Sequence, residues 1–311
     1  MSIKDVELLS KNEKHHELAD QLIEIIQDLI RIASPSGEEG KKEGIADYLF
    51  KFGEEQPLWK VMRDEIHNIY FVPKDCENQE LPLLMAHSDT VQNSDSTYLS
   101  KINIVKKYRN DGLICDYPDI QLGYDDKCGI AIILWLIKYW SDVKFRAIIV
   151  VQEERCNPPY GKTINRRNGG CGVQYALEHR MTFFKSSWGI LLDRAEDKDN
   201  IQENGRRKSP KIVDKIRIEE SDIVWKYAGE PICSEMFLSK LETLTDSLNI
   251  SMRRAASGAK SDAMNIRLFH KTKHIDLVNL ATGFYKEHEK EDYLNIFQLV
   301  RTLLVVKECI R

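Results

Sequence analysis

Apolar residues recur at helical spacing near the start of the chain and at strand-like spacing soon after. Leu18, Leu22, Ile25, Ile26 and Leu29 lie on one face of a helix, and Ser34-Pro35-Ser36-Gly37 breaks it. Ser36 to Glu39 reads S-x-x-E, a capping-box pattern that predicts the start of a second helix, with Gly53 as its end. Strand-like runs follow at 66–72 and 81–86. Residues 128–140 are apolar on most faces, as expected of a helix buried against a sheet, and 145–151 is a β-branched run suited to a central strand. Residues 188–192 and 277–280 read as further strands. Met236, Leu238, Leu241, Leu244 and Leu248 mark a late helix, and 293–306 reads as a closing one. Helical and strand patterns alternate with no internal repeat, which predicts an α/β fold: a layered, mostly parallel sheet with flanking helices. Residues 156–170 and 196–220 are loop-like, rich in Pro, Gly, Arg or in Asp, Lys and Asn.

The chain has 311 residues, 42% hydrophobic and 30% charged, enough for one large domain or two modest ones. A net charge of −4 argues against nucleic acid as the main partner. The one basic cluster, Arg206, Arg207 and Lys208, reads as solvated surface. The apolar runs 130–137 and 147–151 fall well short of the roughly 20 residues that a bilayer span needs, so no membrane is expected as a partner. The first twenty residues lack the apolar core and cleavage site of a secretory signal, which predicts a cytoplasmic protein. Seven cysteines without CxxC spacing fit reduced thiols better than a disulfide framework.

Candidate chemistry follows the strands. The run 81–86 leads directly into His87-Ser88-Asp89-Thr90. Asp125-Asp126 stands just before the buried helix, Glu153-Glu154 follows the strand 145–151, Asp193 follows 188–192, and His288 comes after 277–280. In α/β sheets ligands bind at the carboxyl ends of strands, so these segments could deliver His, Asp, Glu, Asp and His to one sheet edge. Mixed N and O donors suit zinc, cobalt or manganese, and two metals sharing one bridging carboxylate use five protein residues. His87, Asp125, Glu154, Asp193 and His288 supply that number. Asp89 is placed to orient the His87 imidazole, and Glu153 is a candidate general base for a bridging water. Taken singly, each has an ordinary structural reading: a satisfied His, a solvated Glu pair, an N-capping Asp. Their order after successive apolar strands favours the metal site.

Ala86-His87-Ser88-Asp89-Thr90-Val91, the run from Gly123 to Ala131, Gln152-Glu153-Glu154 and Leu191-Leu192-Asp193 together resemble the successive motifs of the co-catalytic two-zinc exopeptidases. That superfamily includes peptidase T, carboxypeptidase G, bacterial zinc aminopeptidases and related deacylases. Ser257 to Ala263 is similar to its G-x-[ST]-D-A segment, and Gly283 to Glu291 to its final His region. The resemblance runs from about Ile30 to Val305. It implies a three-layer α/β/α core in which Asp125 bridges two divalent ions, zinc first, with His87 and Asp193 on one and Glu154 and His288 on the other. Asp89 would support His87, Glu153 would be the base, and Asp126 would act as a supporting or capping residue.

Three features depart from the family pattern. Arg155-Cys156 and a Pro- and Arg-containing stretch follow the Glu pair; Glu289-Lys290-Glu291 follows His288, with His270 and His274 as the alternative ligands; and 67 residues separate Asp193 from Ser261, which leaves no room for an inserted lid and dimerisation domain. The expectation is therefore a single catalytic domain over 1–311 that cleaves small peptides, aminopeptidase-like, and leaves homo-oligomer formation open. An N-acyl amino acid deacylase, a non-catalytic binding protein on the same fold and a di-metal phosphoesterase are the competing readings. Arg253 and Arg254 could hold a substrate carboxylate or be solvated surface.

Overall fold

The computed structural model describes residues 13–91, 99–109, 112–116, 120–155, 170–194, 221–227, 230–250, 252–257, 261–285, 288 and 292–311, with backbone alone at 107–109, 112–115, 221–222, 253 and 255–257. The helices are α1 (Glu13–Ile30), α2 (Ile45–Glu54), α3 (Tyr124–Tyr139), α4 (Cys171–His179), α5 (Glu235–Ser247), α6 (Asp262–Leu268) and α7 (Ile296–Cys309). The main sheet runs β1 (Trp59–Arg63), β2 (Ile69–Pro73), β6 (Arg146–Val150), β3 (Leu83–His87), β7 (Trp188–Leu191), β11 (Asp276–Leu280), β8 (Ser221–Tyr227) and β10 (Met252–Ser257), with the short β9 (Glu230–Pro231) on β8. Its central strands β6, β3, β7 and β11 are parallel; β2 and β8 flank them antiparallel, so the sheet is mixed. A second sheet joins β12 (Phe284–Tyr285), β13 (Tyr293–Asn295), β5 (Gly112–Asp116) and β4 (Val105–Arg109).

Alternation along the central strands divides the core into two. Leu84, Ala86, Ala147, Ile149, Ile190, Val278 and Leu280 pack with Leu22 and Leu29 of α1, Ile130 and Leu134 of α3, and Leu299 and Leu303 of α7. Leu83, Met85, Ile148, Val150, Leu191 and Leu277 face the other way, onto Val173 and Leu177 of α4 and Ala263 and Ile266 of α6. Helices therefore cover both faces, and the fold is a three-layer α/β/α sandwich. This is why the central strands read as continuous apolar runs. No described helix is long and apolar enough to cross a membrane.

Several elements differ from the sequence expectation. The strand expected at 66–72 starts at Ile69, because Asp64 accepts the N–H groups of Ile66 and Asn68 and holds a turn there. The closing helix starts at Ile296, after a three-residue strand, and Asn295 caps it by accepting from Phe297 N–H. The largest correction concerns Ser36 to Glu39. Helix α2 starts at Ile45 with Gly44 at its N-cap and no side-chain cap, so neither side chain of the S-x-x-E pattern caps it. Both side chains turn inward instead. Ser36 Oγ donates to Asp89 Oδ2 at 2.6 Å, and Glu39 Oε1 accepts from Gln152 N–H at 2.9 Å.

Gly53 also differs from its expected role. It does not end α2 but lies buried inside the last turn, where a Cβ would stand 2.6 Å from Val61 Cβ and 2.8 Å from Phe71 Cε1. Alanine is the better helix former by about 1 kcal/mol. Overpacking against two strands outweighs that preference, so Gly53→Ala is expected to lower unfolding stability by about 1–2 kcal/mol. Denaturant midpoints read this directly; an unchanged or raised midpoint would contradict the packing argument.

Candidate metal centre

Four parallel strands end on the same edge of the sheet, and the candidate residues leave from those ends. His87 is the last residue of β3, Glu153 and Glu154 follow β6, and Asp193 follows β7. Beyond β11 the chain passes Thr282 and Gly283 into the β12–β13 hairpin, between whose strands His288 lies. Asp125 stands at the start of α3, where the backbone is not yet helical: Gly123 is left-handed (φ 70°), and the Asp125–Asp126 peptide is cis. Asp292 shapes this entry. Its carboxylate accepts the N–H groups of Leu122, Gly123 and Tyr124 at 2.6, 2.8 and 3.2 Å, so the β13 side of the hairpin grips the turn that carries Asp125.

The two oxygens of Asp125 face different histidines. Oδ1 lies 3.2 Å from His87 Nε2, and Oδ2 lies 3.2 Å from His288 Nε2. Asp193 Oδ1 is 3.6 Å from the same His87 nitrogen, and Glu154 Oε1 is 2.6 Å from the same His288 nitrogen. His87, Asp125 and Asp193 thus form one cluster of converging donors, and Asp125, Glu154 and His288 form another. A third cluster joins His87 to Glu153 and Glu154. For a tetrahedral ion with bonds near 2.0–2.2 Å, neighbouring ligand atoms stand roughly 3.3–3.5 Å apart. Most of these separations are close to that, and the donor set is the imidazole–carboxylate mixture that zinc, cobalt and manganese accept. His270 and His274 belong to none of the clusters.

Supporting contacts hold each group in place. Asp126 points away from the donors: its Oδ2 accepts from His87 N–H at 3.1 Å and its Oδ1 from Gly129 N–H at 2.9 Å, as a supporting and capping residue should. His87 Nδ1 lies 2.9 Å from the Asp89 backbone oxygen and 3.5 Å from its carboxylate, so Asp89 orients the imidazole chiefly through the main chain. The Asp89 carboxylate is spent elsewhere, accepting from Glu153 N–H at 2.9 Å and Glu154 N–H at 3.0 Å. Asn279 grips Asp193 on both sides: Oδ1 accepts its N–H at 3.0 Å, and Nδ2 donates to its carbonyl at 2.6 Å. Asn279 is not among the sequence-predicted site residues; its one signal in the sequence is a lone amide within the apolar run 277–280.

Burial and mutual repulsion dominate the electrostatics. Burial first, then the charge of Asp193, pushes Glu153 well above the ordinary carboxylate range. Burial likewise raises Asp126, Asp193 and Glu154. Burial opposes the ionised form of Asp125 as well, but its hydrogen bonds with His288 and His87 prevail and hold it low. Those bonds from Asp125 and Glu154 lift His288 to about 10. Burial disfavours a charged His87, yet Asp125, Asp193 and Asp89 outweigh it and raise the imidazole well above its usual range.

Other sequence readings resolve differently. Arg254 is bound by Glu242 at 2.7 Å and Glu235 at 2.9 Å, both on α5, and the Arg253 side chain lies outside the described residues. Cys171, at the start of α4, is disulfide-bonded, which corrects the expectation of wholly reduced thiols; Cys76, Cys128, Cys233 and Cys309 are free. Residues 156–169 and 195–220, and with them Arg206, Arg207 and Lys208, lie outside the described residues.

No protein-family model matches the chain, and no curated protein matches it. Solved structures do. Aminopeptidase PepT from Bacillus cereus aligns with 15% identity and a TM-score of 0.62, covering 94% of this chain and 98% of that one. The TET1 peptidase of Pyrococcus horikoshii, described as assembling into a tetrahedron or a large octahedral shell, aligns with 13% identity and a TM-score of 0.62 over 93% of this chain and 99% of its own. A tripeptidase from Staphylococcus aureus gives 14% identity and 0.59 over 94% and 97%. At such identities the likeness establishes the fold, which these peptidases share.

The crowding has a measurable consequence without metal. Glu39, Asp262 and Asp292 are each raised to about 7, in every case by burial first. Between about pH 5 and 7 the folded chain therefore holds protons that the unfolded chain has released, so stability falls as pH rises through that window. One net proton corresponds to about 1.4 kcal/mol per pH unit. Chelator-treated protein melted at pH 5, 6 and 7 should be least stable at 7; a rise in stability over that range would contradict the buried-carboxyl account.

Proposed function

We propose that the chain is a two-metal exopeptidase of aminopeptidase type, acting on short peptides. The observation that carries this reading is the division of the Asp125 carboxylate, one oxygen toward His87 and the other toward His288, each imidazole having a second carboxylate beside it. His87 and Asp193 would hold one divalent cation and Glu154 and His288 the other, with Asp125 shared. Zinc is the first choice for this donor set, and cobalt or manganese would also be accepted. Two such cations would supply Lewis acidity toward the scissile carbonyl and lower the pKa of the attacking water.

The remaining work belongs to the chain. Glu153 takes the proton of the attacking water on its carboxylate and returns it to the leaving amine. Asp89 fixes the backbone from which Glu153 and Glu154 project. His288, the most exposed donor at 41% side-chain exposure, marks the side from which a peptide reaches the centre. Peptidases sharing the fold, including an aminopeptidase and a tripeptidase, support peptide over phosphate-ester substrates. Arg254, engaged by Glu235 and Glu242, lends no support to a substrate-carboxylate role.

Removing metal with chelator should abolish hydrolysis of a di- and tripeptide panel, and added zinc or cobalt should restore it. Glu153→Gln is expected to lower kcat by about 10²–10⁴-fold while the protein still binds metal. Turnover of N-acetyl amino acids in preference to peptides would replace this reading with the deacylase. Hydrolysis unaffected by Glu153→Gln would exclude the mechanism.

A further inference from the structure

Where β6 ends, four consecutive backbone N–H groups are each taken by a side chain from outside the strand. Val151 N–H donates to Asn68 Oδ1 at 3.0 Å, Gln152 N–H to Glu39 Oε1 at 2.9 Å, Glu153 N–H to Asp89 Oδ1 at 2.9 Å and Glu154 N–H to Asp89 Oδ2 at 3.0 Å. This is where the chain leaves the sheet. Gln152 adopts a left-handed conformation (φ 54°) that a non-glycine residue rarely takes unsupported. Its carbonyl is also occupied, accepting from Cys171 N–H at 3.1 Å. Because both Glu153 and Glu154 hang from this corner, a small rotation of the Gln152 backbone would redirect both carboxylates.

One short segment, 34–39, supplies Glu39 and holds Asp89. Residues 34–36 pair with the loop after β3, through Thr90 N–H to Ser34 O at 2.8 Å and Ser36 N–H to Thr90 O at 3.3 Å. Ser36 Oγ then donates to Asp89 Oδ2 at 2.6 Å, and three residues later Glu39, 2% exposed, reaches Gln152. Glu39 and Asp89 are two buried carboxyl groups close enough to repel each other. The backbone amides that the two carboxyl groups accept offset that repulsion, Gln152 N–H among those on Glu39, and Glu153 and Glu154 N–H on Asp89. Asp89 is tied to His87 as well, so the segment connects the first imidazole to the Glu pair.

We propose that Ser36 and Glu39 form a positioning clamp for the centre, in which Glu39 sets the Gln152 turn and thereby aims Glu153 and Glu154. Neither residue touches substrate or metal; each acts through the backbone of the corner. The inference rests on the two-metal reading, and its test separates the two. Cobalt(II) titration by visible absorbance counts and ranks the ions, and steady-state kinetics on a peptide read the base. Glu39→Ala should weaken one of two cobalt ions about 10–100-fold, leave the other unchanged, and lower kcat by about 10–100-fold with KM within twofold. Glu39→Gln keeps an acceptor oxygen for Gln152 N–H and should restore both within a few-fold. Ser36→Ala removes one hydrogen bond to Asp89 and should weaken the same cobalt ion about fivefold.

Two cobalt ions bound by Glu39→Ala as tightly as by wild type, with kcat unchanged, would overturn the clamp and leave the two-metal reading standing. Should Glu39→Ala fail to fold, Ser36→Ala decides: unaltered cobalt binding and kcat in that variant would overturn the clamp. Wild-type protein that binds no cobalt would overturn the two-metal reading and the clamp with it.

Discussion

Carboxyl groups crowded into a buried space around two imidazoles are the constraint on which the rest of this structure depends. Asp89, Asp125, Asp126, Glu153, Glu154, Asp193 and Asp262 sit within electrostatic reach of His87 or of one another. Ionised carboxylates out of water are costly unless paired, hydrogen-bonded or bound to cations. Two protonated imidazoles cannot neutralise them all. Some must hold protons, as the upward shifts of Glu153, Asp126 and Asp193 express, or the cluster must hold divalent cations. A protein that keeps such an arrangement gives up stability for it, and under the proposed function bound cations would recover the loss.

The fold meets this constraint by separating rigidity from reach. Parallel strands buried on both faces place His87 and the starts of the Glu and Asp193 segments with little freedom, because each strand is locked by neighbours on either side. What leaves the sheet is then held one backbone group at a time: Asn279 on Asp193, Asp126 on His87, Asp292 on the turn before Asp125, Asp89 and Glu39 on the corner of the Glu pair. These contacts are side chain to main chain. They orient donors without competing for the donor atoms, which is the division of labour expected around a metal.

How much of this is legible in the sequence depends on range. An apolar run followed at once by His, Asp or Glu is a local signal, and it identifies His87, Glu153, Glu154 and Asp193 at strand ends. Asp125 and His288 depend on order along the chain and on family resemblance, since neither directly ends a strand. Strands β4, β8 and β10 escape notice because Lys106, Lys107, Arg109, Asp222, Arg253 and Arg254 interrupt their alternation near sheet edges. Ser36 and Glu39 show the limit most plainly. The same residue types at the same spacing serve a helix cap or a buried clamp, and only contacts to residues 89 and 152, far along the chain, decide between them. Local patterning also cannot reveal that Arg254 is held by Glu235 and Glu242.

The central claim is that Asp125 is shared between two metal ions. Crystals grown with zinc and measured at its absorption edge test it most directly, because anomalous difference density reports only the metal. The account predicts two peaks about 3.5–4 Å apart, the spacing of two-metal sites, one on each side of the Asp125 carboxylate. A single peak, or none beside Asp125, would contradict it.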